Sequence, residues 1–275
     1  MILITGGAGF VGSSLALNLK RLGSDVWCMD NLRRSGSELN VSRLRDNKVN
    51  LIRGDVRNKE DFPTETPDII IECSAEPSVM AGVTSSPEYL LHTNLLGTIN
   101  CLEYARKHDS DLIFLSTSRV YPVKYLRNLK LTSDKGRFDL DPPYINGIPE
   151  SFPLDAPRTL YGATKLASEL LIQEYNDVYG LKTIINRCGL IAGQWQFGKT
   201  DQGVITLWAA KHFYNQPLTI YGYSGYQVRD VLNVQDLFDL IIMELSLIRE
   251  LSGQTFNVGG GYQNSISLNE LTALC

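Results

Sequence analysis

The chain has few of the features that would place it in several large protein classes. It carries 26 Lys and Arg against 30 Asp and Glu, a net charge of −4, with no long block of like charge. It therefore offers no basic surface to follow a nucleic-acid backbone. No run of about 18 apolar residues occurs, so a membrane-spanning helix is not expected. The apolar first residues have no charged leading segment and are broken by glycines, which suits a first strand better than a secretion signal. The five cysteines, at 28, 73, 101, 188 and 275, are scattered and never spaced Cys-x-x-Cys. Neither a disulfide framework nor a zinc site is expected. Internal repeats and low-complexity tracts are missing as well. These absences point to a soluble, cytoplasmic protein with no metal, no membrane association and no nucleic-acid partner.

What is present begins at once. The apolar run Met1 to Thr5 flows into Gly6-Gly7-Ala8-Gly9-Phe10-Val11-Gly12, a strand feeding a glycine turn that opens a helix. Residues without a Cβ let backbone N–H groups approach a pyrophosphate, and the new helix turns its positive end toward the anion. A second strand, Asp25 to Asp30, ends in a carboxylate about 20 residues further on, where a ribose hydroxyl would be met. Later strands are expected at Val49–Arg53, Asp68–Cys73, Asp111–Ser116 and Lys182–Asn186, with helices at Val11–Leu22, Pro87–His108 and Leu160–Tyr179. Ser86-Pro87 opens the second of these helices and Gly180 closes the third.

Strands that are apolar on both faces and alternate with helices predict an α/β fold, a Rossmann-type doubly wound parallel sheet with a smaller C-terminal substrate-binding lid. The expected division is residues 1–186 for the dinucleotide-binding part and 187–275 for the lid. Residues 122–158 hold six of the eleven prolines and are expected to form a long, helix-free surface loop inserted in the first part. Leu268 to Cys275 resembles a helix that has only begun, with Ser267 as its cap, so the chain is expected to be incomplete at this end.

Chemistry is expected at the carboxyl end of the Asp111–Ser116 strand, which continues as Thr117-Ser118-Arg119-Val120-Tyr121, because ligands of open parallel sheets lie there. Tyr161 and Lys165 stand four apart on one helix and share a face. The apolar stripe of that helix is expected to run through Ala163, Leu166, Ala167, Leu170, Leu171 and Val178, with the pair off it. The plain alternative is an exposed tyrosine and lysine with no role. A neighbouring ammonium and a cationic nicotinamide would favour the phenolate, making Tyr161 a general base.

These pieces, with Asp30-Asn31-Leu32, Gly54-Asp55-Val56 and Tyr161-x-x-x-Lys165, resemble the extended short-chain dehydrogenase/reductase family over nearly the whole chain. Within it, Gln196-Phe197-Gly198, Asp201-Gln202-Gly203, Gln227-Val228-Arg229-Asp230-Val231 and the long insertion are similar to CDP-paratose 2-epimerases. The resemblance implies NAD as cofactor, held by Gly6, Gly9, Phe10, Val11 and Gly12 at the pyrophosphate and by Asp30, Asn31, Leu32, Arg33 and Ser35 at the adenosine ribose. It places Asp55 and Val56 at the adenine, Ser74, Ala75 and Glu76 beside the nicotinamide half, and Thr93 against the cofactor from the helix below. Thr117, Tyr161 and Lys165 are the implied catalytic residues, Tyr161 and Lys165 also touching cofactor. Ser118, Gln196, Gln202 and Arg229 are the implied substrate contacts, with Arg229 gripping a diphosphate.

The implied activity is a nucleotide-sugar epimerase, favouring a CDP sugar, that oxidises its substrate to a keto sugar and reduces it again. A homodimer formed through the Pro87–His108 and Leu160–Tyr179 helices is implied too. A 4-epimerase or a dehydratase is the enzymatic alternative, and a non-catalytic NAD-binding module the alternative of another class. The Asp-Glu that follows the threonine in dehydratases is Ser118-Arg119 here. Two further departures are Pro122 in place of the usual glycine after Val-Tyr, and Leu190 in place of the usual asparagine. Asp30 would repel a 2′-phosphate, which favours NAD over NADP, although Arg33 and Arg34 stand nearby.

Overall fold

The computed structural model describes residues 1–198 and 202–275. β1 (Ile2–Thr5) leads through the glycine turn into α1 (Phe10–Arg21), then β2 (Val26–Asp30), α2 (Glu38–Asp46), β3 (Asn50–Arg53) and β4 (Ile69–Glu72). Next come α3 (Glu88–Leu91), a π turn (His92–Leu96), α4 (Gly97–His108), β5 (Asp111–Thr117), α5 (Val123–Arg127), β6 (Leu131–Asp134) and β7 (Arg137–Leu140). The order then runs α6 (Leu160–Tyr179), β8 (Thr183–Cys188), β9 (Leu190–Ala192), α7 (Val204–Phe213), β10 (Val228–Asn233) and α8 (Val234–Ser246). β11 (Gln254–Val258), β12 (Ser265–Ser267) and α9 (Leu268–Leu274) follow.

Seven strands pair in parallel in the order β3-β2-β1-β4-β5-β8-β11. The direction of winding reverses between β1 and β4, and the crevice at their carboxyl ends is where such a sheet takes its ligand. Alternate strand residues feed two cores. Ile4, Ile71, Ile113 and Ile184 meet Leu15 and Leu19 of α1 and Leu237 and Ile241 of α8. Leu3, Ile70, Phe114 and Ile185 meet Cys101 and Leu102 of α4 and Ile172 of α6. Each such side chain, fully buried, contributes about 1.5–3 kcal/mol.

The structure departs from the sequence expectation in four places. The helix over 87–108 is one path containing a π turn, opened by Ser86, whose Oγ accepts from the Glu88 N–H at 3.2 Å. The insertion is not helix-free: α5 fits between its prolines, and β6 and β7 form an antiparallel hairpin. The division at residue 186 is not clean, because β8 runs on to Cys188 while β11 and α8, from beyond that point, join the large sheet and the core beneath it. A small sheet in the order β12-β10-β9 is the part of the C-terminal region that stands apart from the large one.

The fourth departure concerns α6. Its buried residues are Tyr161, Gly162, Thr164, Lys165, Ser168, Glu169 and Ile172, so the inner face is mostly polar. Ala163, Leu170 and Val178 of the expected apolar stripe face outward. The periodicity of apolar residues marked the wrong face, because here burial follows hydrogen-bond partners rather than hydropathy. Ser267 does cap α9, in a capping box completed by Glu270.

Candidate active site

α1 starts at Gly9, whose extended backbone carries no side-chain cap, so the first-turn N–H groups point into the crevice without a protein side chain of their own. Gly12 is required by packing: a Cβ there would lie 2.3 Å from the Gly6 carbonyl oxygen. Asp30, at the end of β2, accepts from Ala8 N at 3.0 Å and from Leu32 N at 2.8 Å, and burial raises its carboxyl above the ordinary range. Asn40, which the sequence reading missed, donates to the Ala8 carbonyl at 2.9 Å and locks the same turn from α2.

β4 ends beside the π turn. Asn94 of that turn accepts from Glu76 N at 2.7 Å and donates to the Glu76 carbonyl at 3.1 Å, fixing the Ser74–Glu76 segment. Its own carbonyl accepts from Ser168 of α6 at 3.0 Å and from Thr98 at 2.9 Å. A polar residue in mid-helix, next to Thr93, is the signal that could have marked it.

β5 delivers Thr117, whose hydroxyl stands near enough to the Tyr161 phenol to lower its pKa. α6 is capped by Thr159, which accepts from Gly162 N at 3.1 Å. Gly162 allows the helix to close on the loop after β5, since a Cβ would sit 2.1 Å from the Arg119 carbonyl oxygen. Burial pushes the Tyr161 pKa up to about 12, while the Thr117 hydroxyl and the Arg119 charge pull it down. The expected lowering by Lys165 is not the one seen. Lys165 reaches one turn deeper, its Nζ lying 3.7 Å from the centre of the Phe114 ring, a cation–π contact. Behind it Glu169 accepts three hydrogen bonds from Arg187, at 2.8, 3.0 and 3.2 Å, and one from the Ser116 hydroxyl.

A cleft of about 2070 Å³ runs over these elements, more than one small ligand fills. Gly6, Gly9, Phe10, Val11, Gly12, Asp30, Asn31, Arg33, Ser35, Val56, Ser74, Ala75, Glu76 and Thr93 line one part of it. Thr117, Ser118, Tyr161, Gln196, Gln202 and Arg229 line the rest. Leu32, Asp55 and Lys165 are not among its lining residues, and Asp201 lies outside the described residues.

Asp55 is occupied within the protein. Arg57 grips it at 2.7 and 2.9 Å and Asn31 donates at 2.9 Å, so its carboxyl falls to about 2 against the cost of burial. Gln196 is tied into the lid, donating to the Ile191 carbonyl at 2.8 Å and accepting from Thr206 at 2.9 Å. Arg229 shares the cleft with Arg119; burial first, and then that neighbouring charge, lowers its pKa. The insertion closes the far wall, Phe138 N donating to the Tyr226 carbonyl at 2.9 Å.

The sequence model of the NAD dependent epimerase/dehydratase family matches residues 2–259. The chain belongs to that family. It is 34% identical to the CDP-paratose 2-epimerase of Salmonella typhi, over 99% of this chain and 82% of that protein. It is 32% identical to a putative UDP-glucose 4-epimerase of Methanocaldococcus jannaschii, over 98% of this chain and 80% of the relative. Among solved structures it is similar to the UDP-glucose 4-epimerase of Thermus thermophilus in complex with NAD, at 27% identity and a TM-score of 0.79, covering 99% of this chain and 81% of that one.

The protein is thus an NAD-dependent, sugar-modifying enzyme with a Rossmann-like sheet, and its residues suit that cofactor. The uncapped start of α1 and its close-packed glycines form a cradle for a diphosphate. The Thr93 hydroxyl oxygen is buried with no partner among the described residues, as a group reserved for a ligand would be.

Proposed function

We propose that the protein is a nucleotide-sugar epimerase acting at carbon 2 of a CDP-linked sugar. The observation that carries this reading is the Thr117 hydroxyl and the Tyr161 phenol brought together on the wall of one cleft. Such a pair can hold a ring hydroxyl and take its proton. Bound NAD supplies the hydride acceptor, then the hydride donor, and the positive nicotinamide favours the phenolate. Tyr161 removes the hydroxyl proton, Thr117 and Ser118 orient the oxygen, the Thr117 hydroxyl and the Arg119 charge favour the phenolate, and Lys165 adds its positive charge one turn deeper. In the return half of the reaction Tyr161 gives the proton back to the same oxygen. Gly6, Gly9, Phe10, Val11 and Gly12 hold the diphosphate of the cofactor and Asp30 its ribose. Arg229, with its fixed donor fork, holds the diphosphate of the sugar nucleotide.

A dehydration needs an acid and a base to expel water. Ser118-Arg119 supplies no carboxylate pair after Thr117, which favours epimerisation. The 34% identity to a CDP-paratose 2-epimerase supports the CDP sugar and the position of attack. A homodimer is supported by the apolar residues that α3, the π turn and α6 leave exposed, among them Leu91, Leu96, Leu160, Leu170 and Val178.

The test is turnover of CDP and UDP sugars followed by proton NMR, which identifies the inverted carbon. Tyr161→Phe is expected to lose roughly 10²–10⁴-fold in turnover while releasing as much NAD on denaturation as the parent. Retained turnover rejects the proposed base, and inversion at carbon 4 replaces the 2-epimerase reading with a 4-epimerase.

A further inference from the structure

Lys165 and Glu72 are each about 1% exposed, and nothing in the reaction above uses the carboxylate. We propose that Glu72 is the buried counter-ion that keeps Lys165 protonated, a positioning residue that reaches Tyr161 only through the lysine.

The register of the sheet brings the two together. Thr5, Glu72 and Phe114 are aligned neighbours on β1, β4 and β5, so their side chains leave the same face of the sheet. The Lys165 Nζ stands 3.7 Å from the centre of the Phe114 ring, directly over the strand neighbour of Glu72. One Glu72 oxygen, Oε1, accepts from the Thr98 hydroxyl at 2.6 Å. The other, Oε2, is buried with no hydrogen-bond partner among the described residues.

A lysine removed from water tends to give up its proton unless an opposite charge faces it, and burial does lower the Lys165 pKa. The titratable groups facing it are Glu72, Glu169, Cys73 and Cys188, with Cys101 beside Glu72. Burial raises all three thiols, which leaves them neutral. Glu169 is already neutralised by Arg187. Glu72 is then the one uncompensated carboxylate in this set, and the coupling is mutual: burial raises Glu72 and Lys165 opposes the rise.

The inference takes from the proposed function that Lys165 serves Tyr161, but its test does not depend on turnover. The full-length protein is labelled with lysine carrying ¹³C at Cε, and the Lys165 signal, assigned by its loss in Lys165→Arg, is titrated in the parent and in Glu72→Gln. The midpoint is expected to fall by at least one pH unit in Glu72→Gln while the other lysines stay in place. Thr98→Val, which removes the donor to Oε1, is expected to give a smaller fall and carries the test if Glu72→Gln does not fold. An unmoved midpoint in the folded variants, or a Lys165 already neutral at pH 7 in the parent, overturns the assignment. A shifted midpoint in a protein that turns over no sugar nucleotide upholds the counter-ion and refutes the epimerase reading.

Discussion

α1 and α6 both pack on the same sheet, yet they are held by different forces. The inner face of α1 is formed largely by Leu15, Ala16, Leu17 and Leu19, and its stability comes from apolar area removed from water. The inner face of α6 presents Tyr161, Thr164, Lys165, Ser168 and Glu169, each of which needs a partner once buried. Even the ends differ: α1 leaves its first N–H groups open to the crevice, while α6 closes its own with Thr159 and stops at Gly180 in the left-handed conformation. A helix that must present reactive groups to a cleft gives up hydrophobic burial and depends on neighbours that satisfy it. A helix that offers only its positive end can be filled with leucine.

Substitutions can break this contrast or sharpen it. Glu169→Ala should cost about 3–5 kcal/mol, because it leaves the Arg187 guanidinium buried without its charge partner; urea denaturation measures it, and a loss below about 1 kcal/mol would mean that α6 does not rest on its polar partners. Leu15→Ala in α1 should cost about 2–5 kcal/mol through lost apolar burial and the cavity left behind, with NAD content per folded molecule unchanged.

α8 tests the apolar side of the comparison, since it packs with α1 yet carries Glu244, whose carboxyl burial raises to about 7 despite a hydrogen bond from Asn186 at 2.8 Å. The folded protein keeps this proton between the usual 4.5 and about 7 while the unfolded chain has lost it, so stability falls as pH rises through that window, by at most about 1.4 kcal/mol per pH unit. Glu244→Gln should flatten the slope and stabilise the protein at pH 8 by up to about 3 kcal/mol relative to the parent, read by thermal melts at pH 5 and pH 8. A variant as pH-dependent as the parent would assign the slope to other groups. The smallest effect belongs to Thr159→Ala, expected to cost about 1 kcal/mol through loss of the cap. An equal loss from Gly9→Ala would need another cause, since no side chain caps α1.

The same contrast explains what could be read from the sequence. β1, the glycine turn and α1 were legible because each local signal agrees with the fold: an apolar run, residues without a Cβ, and a leucine stripe. α6 was located to the residue, but its orientation was not, since apolar spacing pointed to the face that carries Leu170 and Val178 outside. Asn94, Glu72 and Arg187 act through partners distant in sequence, and no spacing rule reports such pairs. The role expected of Asp55 met a competitor two residues away in Arg57. The hairpin β6–β7 was hidden by the prolines around it, which interrupt a segment without forbidding a short ladder between them.

β11 has a mechanical consequence. The strand follows most of the C-terminal region in sequence, yet it is zipped along β8 from Gln254 to Val258, and the next residue, Gly259, already borders the cleft. That ladder fixes β11 to the large sheet, so the small β12-β10-β9 sheet meets it through the short connections beside the ladder, at Gly189 after β8 and Gly259 after β11.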